Sequence, residues 1–324
     1  MFHTRTSIWP WTFIILLIVS GSFAQETGRS SGSSMPELSP DEKYQDIFPL
    51  TKENFTESVL GSKDAWIVLF HEGSVNITWK AMAAKSRGLF WIGAVDRKTE
   101  HKLVDSLGYD PEQGVARLYP YGGKSTKTKH WKSFENETNA RDAAITSLPD
   151  TVMTFQTENL NDILLECFMA RPSKFPVFIL QDATNIYPYI RALAIRFEKY
   201  FTFVKVVKPT ADDLKAIGLP EAPRSLPELF IITTKEKMIN AFNAVRFDTD
   251  KFGVSSYTNI MEFLFAINNQ YRHELPGDNR GSSQQEAEMA DVVAIETKRF
   301  DIIFPTMSTS GRSKSSSSEP KDEL

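Results

Sequence analysis

Residues 64–80 read DAWIVLFHEGSVNITWK, and the fold follows from how that stretch changes character. Trp66 to Phe70 is a continuous apolar run of residues that pack well on a pleated surface, the pattern of a buried strand. The run breaks at Gly73, and helix-forming residues resume from Trp79 to Lys85. A strand, a short loop and a helix, in that order, put the loop at the carboxyl edge of a sheet. That edge is where α/β folds present their chemistry.

The longer run LTKENFTESVLGSKDAWIVLF, ending at Phe70, resembles the start of a catalytic thioredoxin-type domain of the protein disulfide isomerase family. In that family the strand is followed by an aromatic residue, a Trp, a CxxC pair and a Lys. Here Lys80 matches the lysine, but the stretch before it, including Ser74, Val75, Asn76, Ile77 and Thr78, has no cysteine. The family also sets a cis-proline opposite the pair, and the matching run DPEQGVARLYPYGG carries Gly114 at that place. The resemblance therefore implies the scaffold of a thiol exchanger without its reagent.

The rest of the chain extends this reading. Apolar runs and helical spacings predict βαβαββα over residues 44–152, with a hairpin around Gly122–Gly123 and a closing helix at Asn139–Leu148. Pro149 and Asp150 mark a linker. Residues 153–275 repeat the order, from a helix at Leu160–Met169 to a closing helix at Tyr257–Tyr271. Pro227 stands just ahead of the third strand, where a cis-proline would lie. The expected fold class is α/β: two tandem thioredoxin-like domains, each a mixed sheet flanked by helices, with a disordered tail over residues 276–324. Ser308 to Glu319 is serine-rich low complexity. Within the tail, Val292–Phe304 reads as an extra strand or docked segment, or else as a partner-binding segment.

Both ends carry addresses. Arg5, the apolar run Ile8–Val19 and the small residues Ser22 and Ala24 form a secretory signal peptide over residues 1–24. A flexible leader follows over 25–43. Lys321, Asp322, Glu323 and Leu324 form a retrieval signal read by the KDEL receptor, so the expected location is the endoplasmic-reticulum lumen. After signal cleavage no membrane span is expected. Three sequons suit that compartment, at Asn54, Asn76 and Asn136. A glycan on Asn76 would stand where a catalytic domain of the family receives substrate; an unmodified Asn76 would leave Val75 and Ile77 as a small apolar lip.

The lumen is oxidising, yet among 324 residues there is one cysteine, Cys167. No intramolecular disulfide can form, and dithiol exchange by this chain alone is excluded. Cys167 shares a helix face with Leu160, Ile163, Leu164 and Phe168, and no Lys or His one turn away would lower its pKa, so a core role is expected.

Other constellations carry less. The formal charge of −4 gives no reason to expect nucleic acid. His71, Glu72 and Ser74 are neighbours in one turn, whereas nucleophile, base and orienter normally converge from separate elements. Tyr121-Gly-Gly-Lys-Ser-Thr lacks the first glycine of a phosphate loop, Leu118 standing in its place. Lys124, Lys127, Lys129 and Lys132 then read as a solvated edge. Asp96 ends a buried strand and suits a capping role. No His or Cys pair has ligand spacing, so neither metal nor cofactor is expected.

The function implied is non-covalent: a redox-inactive relative of protein disulfide isomerase that binds unfolded polypeptide or a lumenal partner in folding or quality control. The missing CxxC pair weighs against an enzymatic role without deciding it. Phe175, Tyr187, Tyr189 and Phe230 are the expected peptide-contacting residues. Two alternatives are an oxidoreductase working through Cys167 and a scaffold recruiting another enzyme through Val292–Phe304.

Overall fold

A computed structural model describes residues 46–124, 131–219, 223, 225–276, 282–300 and 304. The signal peptide, the leader and Lys321–Leu324 lie outside them. Two five-stranded sheets are present, ordered β1-β3-β2-β4-β5 and β6-β8-β7-β9-β10, so the second repeats the first. In the first sheet β1 (Phe48–Pro49), β2 (Trp66–His71) and β3 (Trp91–Asp96) run parallel, and β4 (Ala116–Tyr119) and β5 (Lys132–Phe134) complete it antiparallel. The helices α1 (Ile77–Lys85), α2 (His101–Ser106) and α3 (Glu137–Ser147) fall between the strands. This is the thioredoxin-like arrangement, twice over.

The apolar run of β2 has a simple cause. Ile67 and Leu69 pack with Trp79 of α1 and Ala144 of α3, while Trp66, Val68 and Phe70 pack with Val59 and Leu103 of α2. Side chains alternate along a strand, so covering both faces demands apolar residues at every position.

The second sheet comprises β6 (Met153–Thr154), β7 (Phe175–Gln181), β8 (Phe201–Val207), β9 (Glu228–Lys235) and β10 (Met238–Arg246). Its helices are α4 (Leu160–Met169), α5 (Pro188–Arg196), α6 (Ala211–Ala216), the short α7 (Thr249–Phe252) and α8 (Tyr257–Tyr271). The Leu226–Pro227 peptide bond is cis, directly before β9.

The expected disordered tail needs correction over residues 282–300. Ser282–Phe300 forms a helix, α9, which packs against α8. Met289, Val293 and Glu296, spaced one and two turns apart, are buried along it, and Phe304 is buried beyond its end. Of the readings of Val292–Phe304, the docked segment fits and the strand does not: the surrounding Gln, Glu, Ala and Lys are better helix formers and their spacing prevails.

The two sheet units meet through a chain of polar contacts. Arg196 of α5 places Nη2 at 2.9 Å from Asp64 Oδ2 of the first unit and Nε at 3.3 Å from Glu296 Oε1 of α9. Tyr257 donates to the other Glu296 oxygen at 2.9 Å, and Trp91 Nε1 donates to Asp64 Oδ2 at 2.8 Å. Burial opposes the guanidinium charge, but Glu296 and Asp64 outweigh it and the Arg196 pKa is raised. Beside this joint Gly88 (φ 79°) lies so close to the Tyr257 ring that a Cβ would fall 2.3 Å from it. Only glycine fits there.

Glu296 is 1 % exposed, so removing Arg196 takes a facing charge from a buried carboxylate. Arg196→Ala is expected to cost about 3–5 kcal/mol, read as a lowered urea midpoint. A midpoint unchanged from the parent would mean that the joint contributes nothing.

Candidate functional site

β2 ends at His71 and α1 begins at Ile77, so Glu72 to Asn76 form the loop at the carboxyl edge of the first sheet. Asn76 is the N-cap of α1: extended at φ −62° and ψ 144°, it accepts from Thr78 N at 3.0 Å and from the Thr78 hydroxyl at 3.2 Å. That satisfies one of the amides a helix start leaves unpaired. With Lys80 matched to the family lysine, the four positions ahead of it are Asn76, Ile77, Thr78 and Trp79. On that resemblance Asn76 and Trp79 are the positions expected of an exchanging pair. The first is an exposed cap, and the second is an indole buried in the core.

Gly114 stands across from this loop, just before β4. Its φ is 115°, and a Cβ built on it would lie 2.6 Å from the Phe134 carbonyl oxygen. Proline requires φ near −65°. A proline here would need both a different backbone and more space, so the glycine is fixed by local geometry. The next residue, Val115, accepts from Phe70 N at 2.9 Å and is 42 % exposed; Ile77, at the start of α1, is 64 % exposed. Two apolar side chains therefore reach solvent at the same end of the sheet, and Ser74 and Thr78 are exposed beside them.

On the other side of the loop a cleft of about 420 Å³ opens at the carboxyl ends of β1, β2 and β3, lined by Leu50, His71, Val75, Lys80 and Asp96 among others. Burial lowers the His71 pKa; Asp96 opposes that shift, while Lys80 and Arg97 reinforce it. Its Nδ1 is buried and has no hydrogen-bond partner among the described residues. Asp96 instead turns Oδ1 to Lys98 N at 2.9 Å, ending β3 as a cap. Ser74 and His71 line one cleft, but no acceptor orients the imidazole at Nδ1, and the arrangement of a hydrolytic triad is not formed. Among the described residues no group of three His, Cys, Asp or Glu side chains could hold a metal ion.

In the second unit the structure divides the expected peptide-contacting residues. Phe175 and Phe230 are fully buried, which corrects their assignment to a surface. Phe175 stacks on Phe201 at 5.5 Å and Phe230 on Phe178 at 5.2 Å. Both strands are interior to the sheet, with neighbours on either side, so neither residue sits at an edge. Tyr187 and Tyr189 do lie together, stacked at 5.6 Å, in the loop before α5 and its first turn. This is the counterpart of the 72–76 loop. Tyr187 is 36 % exposed, the Tyr189 hydroxyl is 3.4 Å from Ser255 Oγ, and the neighbouring Val254 is 78 % exposed. Val254 was not singled out from sequence; its signal was a lone apolar residue between Gly253 and the Ser256 cap of α8.

Cys167 is far from either loop in the chain's logic: it is fully buried on α4, and burial pushes its pKa up to about 11 despite a hydrogen bond with Thr202. Among the sequons, Asn76 and Asn136 are exposed and Asn54 is half-buried. No described helix is long and apolar enough to cross a membrane.

No protein-family model and no curated protein matches the chain. Similar solved structures include full-length ERdj5, at 16 % identity and a TM-score of 0.45, covering 69 % of this chain and 32 % of that one. They also include the bb fragment of ERp72, at 14 % identity and a TM-score of 0.26, covering 72 % and 100 %. The zinc-bound form of human ERp44 gives 12 % identity and a TM-score of 0.26, covering 69 % and 57 %. The chain thus spans about a third of the full-length ERdj5 structure.

Two measurements check this geometry. A thiol alkylator is expected to leave folded protein unlabelled and to label Cys167 once the chain is denatured; full labelling of the folded form would refute its burial. For His71 the folded pKa lies below the free value of about 6.5, so the unfolded chain takes up the proton first and stability falls as pH drops through that value. His71→Asn is expected to flatten the fall in urea midpoint between about pH 7 and pH 5, and an unaltered slope would exclude the imidazole as its source.

Proposed function

We propose that this protein is a thioredoxin-like folding or quality-control factor of the endoplasmic-reticulum lumen that has given up thiol exchange and holds polypeptide non-covalently. One observation carries the reading: the single cysteine is buried in the second unit, and no cysteine stands at Asn76 or Trp79, where the resemblance expects the exchanging pair. A disulfide needs two sulfurs bonded at about 2.05 Å. Neither an amide cap nor a core indole can substitute for one. The signal peptide and the Lys321–Leu324 retrieval signal support the lumenal address, with the KDEL receptor as a partner.

The contact surface we assign is the stacked Tyr187–Tyr189 pair with Val254. Aromatic rings offer a large apolar area with a polar tip, which suits extended chains of varied sequence. The scaffold alternative loses ground because α9 turns Met289, Val293 and Glu296 inward. The oxidoreductase alternative requires a thiolate where burial disfavours one.

The test is binding of a fully reduced and alkylated unfolded polypeptide, which has no thiol to exchange, followed by fluorescence anisotropy. Binding is expected, and a double Tyr187→Ala, Tyr189→Ala variant should weaken it about tenfold, or about 1.4 kcal/mol. Cys167→Ala should bind like the parent. Absence of binding, or binding lost with Cys167 alone, would overturn the proposal.

A further inference from the structure

We propose that Asn76 carries an N-linked glycan, which covers the end of the first sheet where a thiol-exchanging domain would meet its substrate. The inference rests on the lumenal reading, since an Asn-X-Thr sequence is an acceptor only in that pathway. In the reaction the Asn76 Nδ2 bonds to C1 of an oligosaccharide carried on a polyprenyl diphosphate. The bond from C1 to the diphosphate oxygen breaks, the diphosphate leaves with its electron pair, and the amide nitrogen gives up one proton to a base.

The topology gathers the acceptors. β1 ends at Pro49, β2 at His71 and β5 at Phe134, and each strand is followed within a few residues by a sequon: Asn54, Asn76 and Asn136. β1 and β2 run parallel to β3, and β5 runs antiparallel to β4, which is itself antiparallel to β2. All three strands therefore finish at one end of the sheet. That is also the end bearing the loop, Gly114 and Val115.

Side-chain geometry then separates the three. Asn54 is half-buried and held at both ends of its amide: Oδ1 accepts from Thr51 N at 2.9 Å, and Nδ2 donates to the Pro49 carbonyl at 3.0 Å. A glycan there would leave from a half-buried amide whose oxygen and nitrogen are both already engaged. Asn76 is exposed, and its hydrogen bonds use Oδ1 alone, so Nδ2 has no partner among the described residues. Carbohydrate can leave from Nδ2 while the helix cap stays intact. Thr78, the residue that completes the sequon, touches the same carboxamide through both its backbone amide and its hydroxyl. Beside it Ile77 and Val115 are two exposed apolar side chains that a bulky, solvated glycan would screen from other chains. Asn136 caps α3 through Oδ1 in the same way, accepting from Asn139 N at 2.9 Å, and is an internal control for exposure of the chain to the pathway.

The experiment expresses the full chain in a eukaryotic secretory system and removes glycans enzymatically in heavy-oxygen water, which marks each occupied Asn by conversion to a labelled Asp. Peptide mass spectrometry should find the mark at Asn76. Thr78→Ala, which keeps the Asn76 cap, should abolish that mark and remove one glycan step on a gel. A mark at Asn136 or Asn54 with none at Asn76 overturns the inference and leaves the lumenal reading standing. No mark at any of the three overturns both.

Discussion

One guanidinium holds the described parts of the chain in register. Arg196 reaches Asp64 of the first unit with one nitrogen and Glu296 of α9 with another, while Tyr257 of α8 closes on the far side of Glu296. Charges taken out of water are costly unless each finds a partner, so the arrangement tolerates few alternatives. If α9 shifted by a turn, Glu296 would leave Arg196 and Val293 would leave the core. Where the two units meet, the Tyr257 ring already lies on Gly88 and leaves no room for a side chain there. Apolar burial supplies the attraction, and this polar joint supplies the register.

Within that frame the carboxyl edge of the first sheet carries a capped loop without a cysteine. The loop, the helix start and the facing glycine occupy the places where the resemblance expects an exchanging pair and its proline. Each is held by an ordinary structural cause: a cap at Asn76, core packing at Trp79, and a crowded positive-φ backbone at Gly114. The one thiol has been drawn into the other core, where its protonated form is favoured. Exposed apolar side chains stand both at this edge, at Ile77 and Val115, and in the second unit, at Tyr187 and Val254.

Much of this was legible because it is local. The apolar run of β2 and the amphipathic spacings of α4 and α8 identified elements whose ends the structure reproduces closely. The absence of a cysteine pair needed no structure at all. What escaped was either too short or too distant. β1 and β6 are two residues each, below the length at which any periodicity can be read, and exist because an inner strand offers them a parallel edge. α9 was harder to read because three β-branched residues, Val292, Val293 and Ile295, interrupt the helix-forming residues around them. Phe175 and Phe230 look the same in sequence whether a strand is interior or at an edge, and strand order alone decides. The Asp64–Arg196 contact spans 132 residues, beyond any pattern argument.

The central claim concerns sulfur chemistry, and it meets its most direct test with scrambled ribonuclease. The purified chain, at catalytic amounts in a glutathione buffer and with no other protein present, should recover ribonuclease activity no faster than buffer alone. Recovery that rises with the amount of this chain would contradict the account, because it would mean that a single buried thiol exchanges disulfides after all.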